Sequence, residues 1–237
     1  MKIADISVEL LDFMGDDLTV VNAARVSFDK ESEWDWVEDQ VATILSQKDQ
    51  KLIQYLARHG HFTPFTHVFA SFRIKAPIFV ARQLQKHQVG LAWNEVSRRY
   101  VDSEPEFYMP KAWRKRAENV KQGSSEETIT KYPQYENEND IREAVLSRMQ
   151  GCLYEYEDLI DAGVCPEQAR MVLPQSTMTE WWWSGSLAAF ARVYKLRTDP
   201  HAQQETREVA LKIGELIAPI APHSWNALTV RQINADD

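Results

Sequence analysis

Two cysteines in 237 residues, Cys152 and Cys165, supply neither a disulfide framework nor metal-ligand spacing. A reduced, cytoplasmic setting fits them best. The chain contains no G-x-G-x-x-G run, so no dinucleotide-binding βαβ unit is expected. No stretch of ~18 apolar residues occurs, which argues against a membrane span. The opening MKIADISVELLDF mixes acids with apolar residues and has no cleavage-like pattern, so no signal peptide is expected. Bases are in deficit, 27 Lys and Arg against 35 Asp and Glu, for a net charge of -8. That balance argues against general nucleic-acid binding, because a phosphate backbone calls for a net basic surface. His59, His61 and His67 are loosely spaced, without the cysteine or acid geometry of zinc, so no metal site is expected.

Hydrophobic residues make up 44% of the chain, enough for a substantial core. There is no internal repeat and no Pro/Gly/Ser linker, so residues 1–237 read as one domain. Helical spacing runs through 38–58 at Val41, Ile44, Leu45, Leu52, Ile53 and Leu56. Residues 67–75 alternate. Val68, Ala70, Phe72 and Ile74 share one face, and Phe69, Ser71, Arg73 and Lys75 the other, as in a half-buried strand. Pro77 opens a helix on which Gln83, Lys86 and His87 fall at i, i+3, i+4 and share a face. A loop with Gly90 follows.

Residues 115–140, rich in Lys, Gln, Ser, Glu and Asn, read as the most flexible stretch. A long helix over 138–162 carries an apolar stripe from Ile141 to Ile160 and stops at Gly163. Thr177–Trp183 reads as a strand, with Trp181-Trp182-Trp183 as core and subunit interface. A helix over 186–196 follows. Asp199 is expected to cap a last one with Val209, Ile213, Leu216 and Ile217 on its buried side. The sum is α+β: helix-rich, with a central antiparallel or mixed sheet.

The densest chemistry lies in RQLQKHQVGLAWNEVSRRY, residues 82–100. Arg82, Lys86, His87, Arg98 and Arg99 alternate there with Gln83, Gln88, Asn94, Glu95 and Ser97. In an acidic chain such a cluster points to one site for an anionic small molecule. Its alternative is a helix with a solvated cationic face. Ser97 has no legible His–Asp partnership to make it a nucleophile, so it reads as a phosphate or substrate hydrogen-bonder.

The same run resembles the signature of the flavin-dependent thymidylate synthases, in which an Arg-His-Arg triplet precedes an Asn-Glu-x-Ser-x-Arg-Tyr run. The triplet here is Lys86-His87-Gln88, and the run is Asn94, Glu95, Val96, Ser97, Arg98, Arg99, Tyr100. AARVSF, HFTPFTHVFASFRIKAPIFVARQ (61–83), ARMVLP (169–174) and LRTDPHAQQETR (196–207) resemble further segments of that family, in its order. The resemblance implies the thymidylate synthase-complementing type of fold. It also implies reductive methylation of dUMP to dTMP, with methylenetetrahydrofolate supplying carbon, FADH2 the hydride and NADPH the recharging electrons. A homotetramer with shared active sites and no membrane or nucleic-acid partner comes with it.

On this resemblance Gln83, Leu84, Gln85, Lys86, Glu95, Val96, Ser97, Arg98, Arg99, Arg170 and Arg197 line the dUMP site. Arg197 is the catalytic member. Beside the pyrimidine, a fixed guanidinium would favour the N3-deprotonated base and activate the ring for hydride attack. Its alternative is a helix-terminal salt bridge. Thr63, Lys86, His87, Gln88, Glu95, Ser186, Leu187, Ala188 and Arg192 would meet FAD, His87 as a positioning group without proton transfer. Thr63 could equally cap a turn before Pro64. The arginine-bearing segments are expected to gather into one pocket.

The departures from the family pattern fall on the flavin side. Lys86 keeps charge without a fork and Gln88 loses charge. Ser186 and Ala188 stand where the family often has Asn and Arg, with Arg192 a turn later. Trp93 reads as an insertion in the loop before Asn94. Neither cysteine sits in a motif like that of the cysteine-dependent thymidylate synthases. Two alternatives stay open: a flavin-dependent hydroxymethylase of pyrimidine nucleotides, and a nucleotide-binding regulator that has lost flavin.

Overall fold

The computed structural model describes residues 1–37, 42–101, 103–118, 123–132 and 140–230. The strands are β1 (Lys2–Ile3), β2 (Ser7–Met14), β3 (Asp35–Val37), β4 (Ala42–Ile44), β5 (Phe69–Pro77), β6 (Leu91–Glu95), β7 (Glu106–Phe107), β8 (Trp113–Arg116), β9 (Ser124–Ile129) and β10 (Met178–Ser186). The helices are α1 (Asp17–Arg25), α2 (Gln47–Arg58), α3 (Ile78–Leu84), α4 (Ile141–Asp161), α5 (Pro166–Ala169), α6 (Leu187–Arg197), α7 (Gln204–Ile217) and α8 (Pro222–Thr229).

The central antiparallel sheet runs β2-β5-β10-β6, with β6 at an edge. Its register follows the alternation legible in the sequence. Phe72 faces Trp183 and Arg73 faces Trp182 across β5 and β10. Trp181 and Trp183 are 1% and 0% exposed, whereas Trp182, one pleat away, is 53% exposed on the outer face. Under the sheet lies α6, buried along Leu187–Ala191. Phe190 meets Phe72 and Trp183 edge-on at 5.0 and 5.4 Å. The core continues through α2, α7 and α8, and a smaller cluster of Phe107, Met109, Met149 and Leu153 lies under α4. Helices α1 and α8 meet at Asp17, a buried residue of α1 whose carboxylate accepts the N–H groups of His223 and Ser224 at 2.9 and 2.8 Å, at the start of α8.

Several expectations need correction. The helix expected over 38–58 starts only at Gln47. Ser46 caps it by accepting the Asp49 N–H at 3.1 Å, and the preceding Ala42–Ile44 pairs as β4 with β3. A β-branched pair, Thr43 and Ile44, followed by a Ser cap favours a strand that ends over one continuous helix. Val41 lies outside the described residues. Trp93 does not lie in the loop before Asn94. It is a strand residue of β6 opposite Trp183. Asp199 does not cap α7: it accepts the backbone N–H of His201 at 2.8 Å, and α7 begins after Gln203. The Arg207 guanidinium donates to the carbonyls of Pro200 and Ala202, which folds 199–203 into a turn instead.

The stretch expected to be flexible carries a hairpin, β8–β9, in its described part. Arg114 of β8 donates to both oxygens of Glu205 at 3.0 and 3.1 Å, tying the hairpin to α7. Finally, α3 ends at Leu84, so Lys86 and His87 lie in the turn beyond it rather than on its face. Gly163 ends α4 with φ +87°, as its position in the pattern implies.

Candidate active site

Predicted site residues flank edge strand β6, with Lys86, His87 and Gln88 before it and Glu95 to Arg99 at and beyond its far end. Its Leu91 pairs with Gly185 and its Glu95 with Trp181. At about 3.3 Å per residue the two ends stand about 13 Å apart.

At the Glu95 end a cleft of about 530 Å³ is lined by Lys75, Glu95, Val96, Arg98, Arg170 and Thr179, among others. Two of its cations already share a carboxylate partner. Lys2 and Lys75 both meet Glu106, whose carboxyl they hold below its usual range through hydrogen bonds and charge. Arg98 instead donates to the Ser103 carbonyl at 2.8 Å and Arg170 to the Glu167 carbonyl at 3.2 Å. Among the described residues no carboxylate meets either guanidinium, unlike Arg25, Arg73 and Arg114. Glu104 and Glu180, which also line the cleft, are paired with the N-terminal amine and Arg73, so the two guanidiniums without a carboxylate partner are free to take an anion beside Glu95. Beside it Ser97 accepts from the Arg99 N–H and Nε at 3.4 and 3.0 Å, and Arg99 lies over the Tyr100 ring at 4.9 Å.

At the Leu91 end the chain comes very close to α6. A Cβ on Gly185 would stand 2.6 Å from the Gly90 carbonyl oxygen, and Gly90 itself has φ +76°. Only glycine allows this approach. It presses the 87–90 loop onto the start of α6, where the Ser186 hydroxyl accepts the Ala189 N–H and Arg192 donates to the Val89 carbonyl at 2.6 Å. Farther along α6, Arg197 Nε donates to His87 Nε2 at 2.9 Å and its Nη2 to the Gln83 carbonyl at 3.3 Å. A guanidinium only donates, so His87 must offer a lone pair at Nε2 and carry its proton on Nδ1. Burial first, then the charges of Arg197 and Arg192, lower the His87 pKa and favour that neutral form. Burial also lowers Arg197, which stays cationic near pH 7.

Residues 9–223 match the family model described as thymidylate synthase complementing protein. The chain is 36% identical over 220 residues to a flavin-dependent thymidylate synthase of Thermosipho africanus, covering 93% of this chain and 89% of that one. It is 38% identical over 221 residues to another of Thermus thermophilus, covering 93% and 74%.

The chain belongs to the flavin-dependent thymidylate synthase family.

As a member of that family it is an enzyme. A solved structure of the UMP/dUMP methylase PolB from Streptomyces cacaoi, bound with 5-Br dUMP, superposes with a TM-score of 0.78. The two are 30% identical, with 97% of each chain covered.

For a flavin-dependent thymidylate synthase the single chain gathers the site residues into two groups. Glu95, Val96, Arg98 and Arg170 share the cleft, and Ser97 and Arg99 adjoin it. Gln83, His87, Ser186, Arg192 and Arg197 surround the other end. Arg170 and Arg197 therefore do not share a pocket within one chain, because β6 holds their surroundings apart. Leu84, Leu187 and Ala188 have buried side chains, which leaves only backbone for a ligand. Gln85, Lys86 and Gln88 are exposed around the end of α3. Thr63 is exposed at the start of a 3-10 turn, Thr63–Thr66, packed against α6, and its carbonyl accepts the Thr66 hydroxyl at 2.6 Å.

Three supporting residues escaped the sequence reading. Gln203 and Thr206 bind the Gln83 side-chain amide, Thr206 at 3.2 Å, and so hold the residue whose carbonyl receives Arg197. Both sit in the LRTDPHAQQETR run, which was the available signal. Thr179 donates to Glu95 at 2.8 Å, and nothing in its surroundings in the sequence marks it. Both cysteines are free. Among the described residues no group of His, Cys, Asp and Glu could hold a metal ion, and no helix is long and apolar enough to cross a membrane.

Proposed function

We propose that this enzyme methylates dUMP to dTMP, taking carbon from methylenetetrahydrofolate and hydride from FADH2 that NADPH regenerates. The observation that carries the reading is the pair of uncompensated guanidiniums, Arg98 and Arg170, in the Glu95 cleft. A nucleotide monophosphate supplies the missing anion. Ser97 and Arg99, which hold only each other and Tyr100, complete the grip on the phosphate.

The residues at the other end of β6 fit a flavin dinucleotide. Arg192 and Lys86 bring positive charge for a diphosphate, and Gln88 and Thr63 bring donors for a ring rich in acceptors. Exposed Val89 adds apolar surface there. When bound, the reduced flavin supplies the hydride. Arg197 provides a preorganised cation against negative charge developing on the pyrimidine. Neutral His87 and the Gln83 carbonyl fix its direction, and His87 moves no proton.

Because Arg197 and the phosphate cleft stand at opposite ends of β6, we assign the working site to a homotetramer in which neighbouring chains bring the two groups together. Soluble, cytoplasmic operation suits the small-molecule substrates. The likeness to PolB supports a second reading for the substrate, acceptance of UMP beside dUMP.

The test is anaerobic incubation of the FAD-loaded enzyme with methylenetetrahydrofolate, NADPH and either dUMP or UMP, with products weighed by mass spectrometry. Methylated dUMP that depends on FAD is expected. A hydroxymethyl product overturns the methylation step. Nucleotide binding with no uptake of FAD overturns the enzyme reading in favour of a regulator.

A further inference from the structure

We propose that Trp93 and Thr179 are positioning residues for the active site: together they clamp the Glu95 carboxylate in the direction it needs to meet the nucleotide. This rests on the reading above that the Glu95 cleft receives dUMP. The Trp93 indole Nε1–H donates to Glu95 Oε2 at 3.2 Å, and the Thr179 hydroxyl donates to Oε1 at 2.8 Å. Each carboxylate oxygen thus has its own donor, and the two donors come from different strands. With both oxygens restrained the carboxylate plane is set, and Glu95 keeps its remaining lone pairs for a ligand.

Three indoles pave the inner face of β6 and β10 up to Glu95. Trp93 stacks on Trp181 with ring centroids 4.4 Å apart and meets Trp183 at 5.5 Å. A phenylalanine at 93 could fill such a stack. The difference between the indoles lies in their N–H groups. Those of Trp181 and Trp183 are buried with no hydrogen-bond partner, while that of Trp93 is directed at Glu95. The aromatic stack therefore acts as a rigid mount and the single satisfied N–H as its functional output. The register is pinned immediately beyond the clamp, where the Val96 N–H donates to the Glu180 carbonyl at 2.8 Å.

The test uses the full-length, FAD-loaded enzyme and dUMP as the probe, with affinity from titration calorimetry and turnover measured at saturating dUMP. Trp93→Phe keeps an aromatic ring and removes the donor, and Thr179→Val keeps the shape and removes the hydroxyl. Each is expected to raise the dUMP Kd about fivefold, the effect of losing an ordinary hydrogen bond at a solvent-exposed position. Turnover per flavin-loaded site at saturation should stay within about twofold, since no transition-state contact is removed. Thr179→Ser should restore affinity. In a double-mutant cycle, Trp93→Phe should add almost nothing on a Glu95→Gln background.

A merely structural role would lower the folded fraction and leave Kd alone. Unchanged affinity in both single variants, or full multiplication with Glu95→Gln, would overturn the proposal. If Glu95→Gln weakens dUMP binding while Trp93→Phe and Thr179→Val do not, the clamp alone fails. If Glu95→Gln itself leaves binding unchanged, the clamp and the placement of dUMP at this cleft fail together.

Discussion

The two ends of β6 are built differently. Around Arg197 every partner is held by a further partner: His87 by its N–H to the Leu84 carbonyl at 2.9 Å, Gln83 by Gln203 and Thr206, and the 87–90 loop by contact with Gly185. Around Arg98 the polar groups lean on nearby backbone or on one another, and Tyr100 is 79% exposed. A braced cation suits charge that develops in one direction during reaction, since no reorganisation is needed at that moment. A loosely held set of arginines suits a phosphate, which is hydrated until it docks and can be followed by flexible forks. Chemistry is fixed at one end; at the other the arginine grip is left adjustable beside a Glu95 that Trp93 and Thr179 hold.

That contrast breaks most severely at Arg197. Arg197→Ala should lower single-turnover dTMP formation about 100-fold or more. Arg197→Lys should not restore it, because an ammonium cannot reach His87 and the Gln83 carbonyl in the same fork geometry. At the capture end, Arg98→Ala and Arg170→Ala should each raise the dUMP Kd about tenfold, read by calorimetry. Their melting temperatures should hardly move, since each guanidinium spends only one bond, to a backbone carbonyl.

The braced end should also be the one that senses acid. Folded His87 binds its proton less readily than an imidazole at the ordinary 6.5. The unfolded chain then takes up more protons, so this group's contribution to stability falls as pH drops below about 6.5 and levels off once pH passes the lowered folded value. Urea unfolding midpoints of wild type and His87→Asn should converge as pH falls from about 8 to about 5. Parallel curves would detach His87 from the brace. The smallest effect belongs to Ser97→Ala, which frees Arg99 and should weaken dUMP binding about threefold while turnover remains measurable. Turnover abolished with binding intact would make Ser97 a chemical participant.

The sheet was legible because its inner face is a continuous apolar row: Val68, Ala70, Phe72 and Ile74 alternate without exception, and so do Trp181 to Trp183. Helix ends were less so. Asp199 has the right chemistry for a cap but spends it on His201, and α3 stops before Lys86 although the sequence there carries no helix breaker. Such choices are made by tertiary partners, not local propensity. The site residues could be named from motifs, yet their division between two ends of one strand could not, because spacing along a chain says nothing about which edge of the sheet the segment joins. Thr179 is the clearest blind spot: its role exists only through a cross-sheet contact with Glu95.

Asp17 has a consequence for synthesis. Its carboxylate can exchange water for the amides of His223 and Ser224 only once those residues have left the ribosome exit tunnel. A nascent polypeptide cannot seal α1 against α8 before α8 has emerged.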